Sequence, residues 1–313
     1  MRTPFKDQSH WPQAHSNPIA SFSAAIAAAG QAEPPLIEAD GAIHRYRDPD
    51  GKPGNKDLWY VLYPDAVPAG AFGDWRAGVS HKWSAASKRE MSAEDRAYFQ
   101  RRMDEVRRQH AQVEARRHAQ AAAKANLIWA TCLPAEAGHP YLVKKGVTAG
   151  IARKSGEALV LPILSLDNRL QSIQFIQPNG AKRMLTGGAK KGHCIPCSSH
   201  QENPSRIIIC EGWATGRTLA ELDPPATVLA AIDAGNLESM AMNARIKWPD
   251  LPRVIACDDD RLTEGNPGLT KGRAAAIASG ATILLPPWPS EAPIELTDFN
   301  DLHQWLKNRG GAA

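Results

Sequence analysis

Acidic residues follow several apolar stretches in the C-terminal third of this sequence, and their spacing indicates metal chemistry. Glu211 comes directly after an Ile-Ile-Ile-Cys run, and Asp258 and Asp260 come directly after a Val-Ile-Ala-Cys run. Asp298 follows a later apolar run and a proline-rich segment. Short β-branched runs predict buried strands. Because the carboxyl ends of parallel strands meet at one edge of a sheet, we expect these acids to lie together.

Acids gathered at one edge repel one another unless a divalent cation lies between them, and Mg²⁺ (or Mn²⁺) is the usual choice beside phosphates. Side chains alternate along an extended chain, so Asp258 and Asp260 should share a face while Asp259 points away. We expect Asp301 to cap the last helix. Two other readings stay open: Glu211 could be a charge partner of a helix N-terminus, and residues 258–260 could be a polar loop.

The elements that must position these acids alternate between strand and helix from residue 206 onward, which predicts an α/β fold with a mainly parallel sheet covered by helices. The predicted strands are 207–210, 227–232, 254–257 and 281–285, and the predicted helices run to residue 222, from about residue 236, over 270–279 and over 296–306.

The preceding residues predict three further regions. Residues 1–85 should form a small, mostly antiparallel α+β domain, which includes a helix over 18–30 and a hairpin over 36–46 around an Asp-Gly turn. Residues 86–130 contain no Pro or Gly after residue 87 and should form a long basic helix, either a solvated linker or a nucleic-acid contact. Residues 131–204 should form an α+β subdomain with strands over 158–165 and 170–177, and residues 205–313 the domain that carries the acids.

Composition restricts the class of protein. The 313 residues carry a net charge of +4 and are 43% hydrophobic, which is sufficient for a packed core. No apolar run is long enough for a signal peptide or a membrane span, and five irregularly spaced cysteines fit a reducing compartment. We therefore expect a soluble cytoplasmic protein.

Together these motifs resemble the Toprim domain that is shared by bacterial-type primases, topoisomerases, repair proteins and some nucleases. The similarity covers about residues 205–305. Upstream, Tyr141-Leu142, Leu159 to Ile163, Leu170 to Gln174 and the lysine-containing 181–186 segment are similar to the core that precedes Toprim in primases. The whole of 139–305 therefore resembles the RNA-polymerase domain of Toprim primases, particularly those of plasmids, integrative elements and phages.

This resemblance implies a primase that makes short RNA primers on single-stranded DNA from ribonucleoside triphosphates, for replication or transfer of a mobile element. Glu211, Asp258 and Asp260 would be catalytic, and these three with Asp298 would bind the metal. The cations Lys182, Arg183, Lys190 and Lys191 would bind the triphosphate or the template. A replicative helicase acting in trans is a further expected partner, and no membrane partner is expected.

Two alternatives use the same fold: a Toprim metal-dependent nuclease, and a non-catalytic single-stranded DNA-binding accessory protein. Residues 1–130 lack cysteine, so we expect no zinc ribbon there. The spacing of His193, Cys194, Cys197 and His200 is zinc-like, but structural sites usually draw ligands from two separated pairs. Aromatic and cationic side chains within residues 45–83 either contact the template or, for the rings, belong to the core. These residues are Arg45, Tyr46, Arg47, Trp59, Tyr60, Trp75, Arg76, Lys82 and Trp83.

Overall fold

The computed structural model describes the backbone of residues 17–51, 54–64, 68–85, 93–199 and 201–310, with few side chains described before residue 111 in the second helix. The chain divides into two compact units, residues 1–109 and 110–313. The four-part domain division expected from the sequence stays a prediction. Within the described residues, no helix is both long and apolar enough to cross a membrane.

The N-terminal unit is one helix against a four-stranded antiparallel sheet. Helix α1 begins after Asn17, whose side chain accepts a hydrogen bond from the backbone N–H of Ile19, with Pro18 in the first turn. Phe22 and Ile26 of α1 are fully buried against the sheet. The elements are α1 (Pro18–Ala28), β1 (His44–Tyr46), β2 (Leu58–Tyr63), β3 (Ala69–Asp74) and β4 (Val79–Ser84), in the order β1-β2-β3-β4.

The hairpin predicted over 36–46 is wrong. Only its second half is a strand, β1, and it pairs with β2 rather than with residues 36–39. The earlier segment is held by the Tyr60 hydroxyl, which accepts from the Glu38 N–H at 3.0 Å and donates to the Leu36 carbonyl at 3.1 Å. Gly41 still makes the predicted turn, with φ of 74°, and its N–H bonds to Leu62 of β2.

The long helix α2 covers Ala93–Thr131, as the sequence predicts. Between residues 111 and 117 its side chains are exposed, whereas Ala121 and Ala125 are buried. Ala125 packs in the C-terminal unit with Val160, Ile173 and Leu185, and Ala121 lies near Gly187. The last part of α2 is therefore a packed element of the C-terminal unit and not a free linker.

An antiparallel sheet follows α2 in the C-terminal unit. Its helix α3 ends at Gly146, which is in the left-handed region with φ of 58°. A turn at Asn168, with φ of 60°, joins two of its strands. The elements are β5 (Leu133–Pro134), α3 (Pro140–Lys145), β6 (Arg153–Ser155), β7 (Ala158–Leu164), β8 (Leu170–Ile176) and β9 (Lys182–Met184), with strand order β5-β6-β7-β8-β9.

The second sheet of this unit is mainly parallel and is packed with helices, which confirms the predicted fold class. Its strand order is β10-β12-β11-β13-β14, and only the edge strand β10 is antiparallel to its neighbour. The elements are β10 (Ile195–Pro196), β11 (Ile207–Cys210), α4 (Trp213–Leu222), β12 (Thr227–Ala230), α5 (Leu237–Lys247), β13 (Arg253–Ala256), α6 (Pro267–Ser279), β14 (Thr282–Leu284) and α7 (Phe299–Gly310).

One hydrophobic cluster joins the two sheets of the C-terminal unit. It contains apolar residues of β7, β8, β11 and β12 together with α3, α4 and Phe299 of α7. Close packing of α4 depends on Gly216, because a Cβ at this position would collide with the sulfur of Cys197. A second cluster lies on the other face of the parallel sheet, against α5 and α6. Both faces of β11 and β13 are thereby covered, which fixes the loops that follow them.

Candidate active site

The acids predicted from the sequence leave the parallel sheet at one edge. Cys210, the last residue of β11, pairs with Ala230 of β12 on one side and with Ala256 of β13 on the other. Because the three strands are parallel and end in register, the residues that follow them emerge side by side. Glu211 follows β11, and the segment 258–260 follows β13.

Asp258 is the most perturbed of these acids. Burial raises its pKa to about 8, and the carboxylates of Asp298, Glu211 and Asp260 add to the effect, while Lys182 opposes it. Its Oδ1 atom is buried and has no hydrogen-bond partner. A buried carboxylate oxygen without a donor is unfavourable in the ionised state, so this position favours either a proton or a cation.

Glu211 belongs to the same electrostatic cluster. Its pKa is raised by burial first and then by Asp260 and Asp233, and Lys182 opposes the increase. The N–H of Ala234 also bonds to Glu211 and lowers the pKa. These interactions show that carboxylates after three strands, together with Lys182, share one region of the structure.

Asp260 and Asp298 are held by neighbouring helices. Asp260 accepts a hydrogen bond from the Gly268 N–H of α6 at 3.0 Å. Asp298 accepts from the Thr215 hydroxyl of α4 at 3.1 Å and from the N–H of Asp301 at 2.8 Å. Contacts of this kind keep the two carboxylates oriented towards the sheet edge.

The N-cap of α7 is Asp298, so the expectation that Asp301 caps this helix is wrong. Asp298 precedes the first residue of the helix, and its Oδ1 accepts the N–H three residues later. Asp301 instead accepts the N–H of Thr297 at 3.3 Å and pairs with Lys145 of α3 at 3.2 Å. The cap therefore fixes the side chain of a predicted metal ligand.

Asp259 has a separate set of contacts. Its carboxylate accepts from the Asn266 side chain at 2.7 Å and from the Trp288 indole N–H at 2.9 Å. Its own N–H bonds to the carbonyl of Thr297 at 2.7 Å. The Arg261 guanidinium lies over the Trp288 ring, 4.4 Å from its centre, and donates to two carbonyls of the loop before α7. Asp259 thus ties the loop that carries Asp298 to the end of β13.

Two of the four predicted cations lie at the acids. Lys182 lowers the pKa of both Glu211 and Asp258, and Lys190 pairs with Asp233 at 2.5 Å. Arg183 lies over the ring of Phe175 with 5.8 Å to its centre, and Lys191 is exposed. The structure therefore places Lys182 and Lys190 at the acids, Arg183 over Phe175 and Lys191 on the surface.

Sequence reasoning missed Asp233. It follows β12 as Glu211 follows β11, and it interacts electrostatically with Glu211. The preceding Ile232 has φ of 80°, an unfavourable conformation for a β-branched residue. In the sequence, Asp233 directly follows an apolar run. No second acid or glycine is adjacent to it, so the signal was weaker than at Glu211 or Asp258.

The donor set fits a hard divalent cation that keeps part of its water. Within the described residues, only Glu38, Asp40 and His44 of the N-terminal unit bring three potential ligand atoms within 4.8 Å of one another. At the sheet edge the carboxylates are more widely spaced. Mg²⁺ is commonly held by one or two carboxylates, with water and substrate phosphates as its other ligands. The unpartnered oxygen of Asp258 is a suitable direct ligand.

The zinc-like spacing does not form a compact group among the described residues. Cys194 and Cys197 are buried, and burial raises the pKa of the Cys194 thiol to about 12. Zinc binds thiolates, so this environment disfavours it. His200 lies outside the described residues.

The aromatic residues of the N-terminal unit are mostly core. Tyr46 and Tyr60 are buried, and Trp83 packs against Phe22. The buried rings of Tyr46 and Tyr60 cannot stack on nucleic-acid bases, whereas Trp75 is 57% exposed and its ring is accessible.

The raised pKa of Asp258 predicts a pH-dependent stability for the metal-free protein. A carboxyl group that titrates near 4 when unfolded and at about 8 when folded stabilises the folded state below pH ~4 and loses that contribution as the pH rises to ~8. Thermal unfolding in a chelator should therefore give a lower Tm at about pH 8 than at about pH 5. Added Mg²⁺ should reduce the difference. If the Asp258→Asn variant has the same Tm at both pH values, the pH dependence is assigned to Asp258. If the variant shows the same Tm difference between the two pH values as the unmodified chain, that assignment is contradicted.

Comparison with known proteins assigns the class of this site. Residues 206–307 match the family described as the Toprim domain, and this segment contains all of the acids at the edge of the parallel sheet. This part of the chain is therefore a Toprim domain.

The relatives extend the similarity beyond that domain. The chain is 36% identical over 263 residues to a DNA primase TraC of Escherichia coli, a match that covers 79% of this chain and 24% of that protein. A second DNA primase TraC of Escherichia coli is 32% identical over 301 residues, with 91% of this chain and 20% of that protein covered. The resemblance to Toprim primases is confirmed, and the chain spans about a quarter or less of the length of these relatives.

Among solved structures, a DnaG primase catalytic domain bound to single-stranded DNA is similar with a TM-score of 0.42 and 12% identity, over 63% of this chain and 78% of that chain. The primase fragment of the bacteriophage T7 primase-helicase protein has a TM-score of 0.38 and 14% identity, over 54% of this chain and 70% of that one.

Proposed function

We propose that this chain catalyses primer synthesis: the metal-dependent joining of ribonucleotides on a single-stranded DNA template. The observation that carries the proposal is the group of carboxylates at the edge of the Toprim sheet, with Lys182 and Lys190 beside it. The similarity to two proteins named DNA primase supports the choice of reaction.

In this reaction the 3′-hydroxyl of the growing primer attacks the α-phosphate of the incoming nucleoside triphosphate, and pyrophosphate leaves. A divalent ion held by Asp258 and Asp260, with Glu211 and Asp298 near it, would lower the pKa of the attacking hydroxyl and neutralise phosphate charge. Mg²⁺ or Mn²⁺ fits the oxygen donors.

The protein groups have separate roles in this proposal. Glu211 accepts the proton of the attacking hydroxyl, because its raised pKa makes it a stronger base than an ordinary carboxylate. Lys182 and Lys190 offset the charge of the triphosphate. Asp233 holds Lys190 in position through their ion pair. Thr215 and the α7 N-terminus orient Asp298.

The test is a synthesis assay with single-stranded DNA, labelled ribonucleoside triphosphates and Mg²⁺ or Mn²⁺, followed by sizing of the products. We expect short labelled RNA that requires both template and metal. Cleavage of a labelled single strand without incorporation would instead support the nuclease alternative. Template binding without either reaction would support the accessory-protein alternative.

The expected helicase partner also belongs to this proposal. It is inferred only from the resemblance to primases. Co-purification of this chain with the replicative helicase of its host, or a helicase-dependent increase in primer yield, would support it. The absence of both effects would contradict it without affecting the assignment of the reaction.

A further inference from the structure

Helix α2 carries cations that the proposed function leaves without a role. Arg116, Arg117 and Lys124 are exposed, and none of them has a carboxylate partner in the part of the chain that the structure describes. From residue 110 to residue 124 the only acidic residue is Glu114. Unpaired cations on one helix are either a solvated face or a surface for an anionic partner.

The anchoring of α2 argues against a face that is merely solvated. Ala125 is buried against the antiparallel sheet, and Ala121 is buried near Gly187. Arg153 fixes the helix end by donating to the carbonyl of Trp129 at 2.7 Å. The Arg153 guanidinium also lies over the Trp129 ring, 4.3 Å from its centre. The cations just before this anchor are therefore held at fixed positions relative to the sheet.

The cations of α2 adjoin the basic segment that reaches the acids. Arg117 packs on Gly187, where the arginine side chain occupies the space next to the missing Cβ. Gly187 has φ of 81°, so both its conformation and this close approach favour glycine. His118 is near enough to His193 to contribute to lowering its pKa, although burial has the larger effect. The helix and the segment between residues 182 and 193 thus form one surface.

Arg183 belongs to the same surface. Its side chain lies over Phe175, and Phe175 packs in the cluster that α2 covers. Lys182, its neighbour in β9, is on the side of the acids and lowers the pKa values of Glu211 and Asp258. Alternation along β9 therefore places one cation at the reaction centre and the next on the side of α2.

We propose that the α2 basic face, defined as Arg116, Arg117 and Lys124 of α2 with Arg183 and Lys191, binds the phosphate backbone of single-stranded DNA. Residues 110–124 span about 20 Å of helix, at roughly 1.5 Å per residue, enough to contact several phosphates. This inference rests on the proposed function and extends it: α2 holds template outside the reaction centre. An acidic protein partner is the competing occupant.

The test compares the full chain with the double variant Arg116→Ala/Arg117→Ala. Binding to a labelled oligothymidylate is measured over a range of salt concentrations, without triphosphates or metal. Loss of two phosphate contacts should weaken binding at low salt and flatten the log-affinity against log-salt slope by about 1.4, at roughly 0.7 per contact for a single strand. Both side chains are exposed, and only the contact of Arg117 with Gly187 is lost, so the Tm should change little.

The matched control is Lys144→Ala/Lys307→Ala. It removes the same charge from exposed positions of α3 and α7, which pack in the cluster on the other face of the antiparallel sheet. This control should keep the affinity and slope of the unmodified chain. An unchanged slope in the Arg116/Arg117 variant, or an equal loss in the control, overturns the proposal for α2.

Primer synthesis measured on the same proteins separates this inference from the proposed function. If the variant synthesises primers with an increased KM for template and an unchanged kcat, both stand. If none of the three proteins synthesises primers but only the Arg116→Ala/Arg117→Ala variant loses affinity for DNA, the α2 basic face is supported and the proposed reaction is wrong. If all proteins synthesise primers and bind DNA equally, only the α2 assignment fails.

Discussion

Asp258→Asn should abolish primer synthesis and at the same time increase the stability of the metal-free protein near neutral pH. The substitution keeps the size of the side chain and removes the charge that burial and three neighbouring carboxylates oppose. Each unit of pKa shift corresponds to about 1.4 kcal/mol between the two protonation states, so relief of this repulsion should be measurable as a higher Tm. The variant loses the most favourable ligand for a cation.

The expected loss of rate is large. Altering an outer-shell partner of a metal typically costs about 10–100-fold in affinity or activity, and removal of a direct ligand should cost more. Primer yield and thermal unfolding in a chelator are measured on the same samples. Asp250→Asn is the control, because Asp250 is an exposed acid in a turn and should change neither value. Near-normal synthesis by Asp258→Asn, or a lower Tm at about pH 8, would contradict the assignment.

Asp259→Ala should also reduce synthesis strongly, for a different reason. The substitution leaves the Asn266 amide and the Trp288 indole N–H without their acceptor. Each half-buried donor that loses its partner costs about 1–3 kcal/mol, so the loss of both should lower the free energy of unfolding by roughly 2–6 kcal/mol. The loop between Trp288 and Asp298 loses its side-chain attachment to the end of β13. The backbone bond from the Asp259 N–H to Thr297 remains, so the Asp298 carboxylate is held less firmly.

A comparison with Asp259→Asn separates position from charge. Asparagine retains one acceptor oxygen, so it should recover part of the lost stability. If Asp259 acts through the loop, the alanine variant should need a higher Mg²⁺ concentration for half-maximal synthesis, and direct Mg²⁺ binding by calorimetry should weaken in parallel. A lower Tm with unchanged metal dependence would show that the network only stabilises the fold.

Alternation along an extended chain predicts that Asp259 faces away from Asp258 and Asp260, and it suggests a minor role for that residue. The contacts of Asp259 give a reason for a larger one. Its partners Asn266 and Trp288 lie 7 and 29 residues further along the chain. No periodicity in the sequence connects them. A pattern of polar and apolar residues gives the direction of a side chain, whereas its importance depends on what tertiary contacts lie in that direction.

The parallel sheet was predictable because its strands are short, β-branched and bounded by polar loops. Strand β11 lies where the apolar run predicts it. The pairing of residues 36–46 was not predictable, because an Asp-Gly turn signals a reversal of the chain but does not say which segment pairs after it. Here the Tyr60 hydroxyl satisfies the backbone that a partner strand would have satisfied.

The positions of Glu211, Asp258 and Asp260 at the candidate site were predictable, because their motifs resemble those of a known family. Asp233 was not, because nothing next to it in the sequence marks it. Its place depends on the order of strands in the sheet, which puts β12 next to β11. The helix cap at Asp298 also required the structure, since Asp301 has the same residue type and similar spacing.

The acids of the candidate site lie in four separate connections of the chain: after β11, after β12, after β13 and before α7. None of these connections holds the cluster alone, so the proposed ion site would form only when β11, β12, β13 and α7 are all in place. Ion binding would therefore report that these elements have assembled together. A luminescent lanthanide competing with Mg²⁺ could then follow the final stage of refolding, which the signal of any single helix would miss.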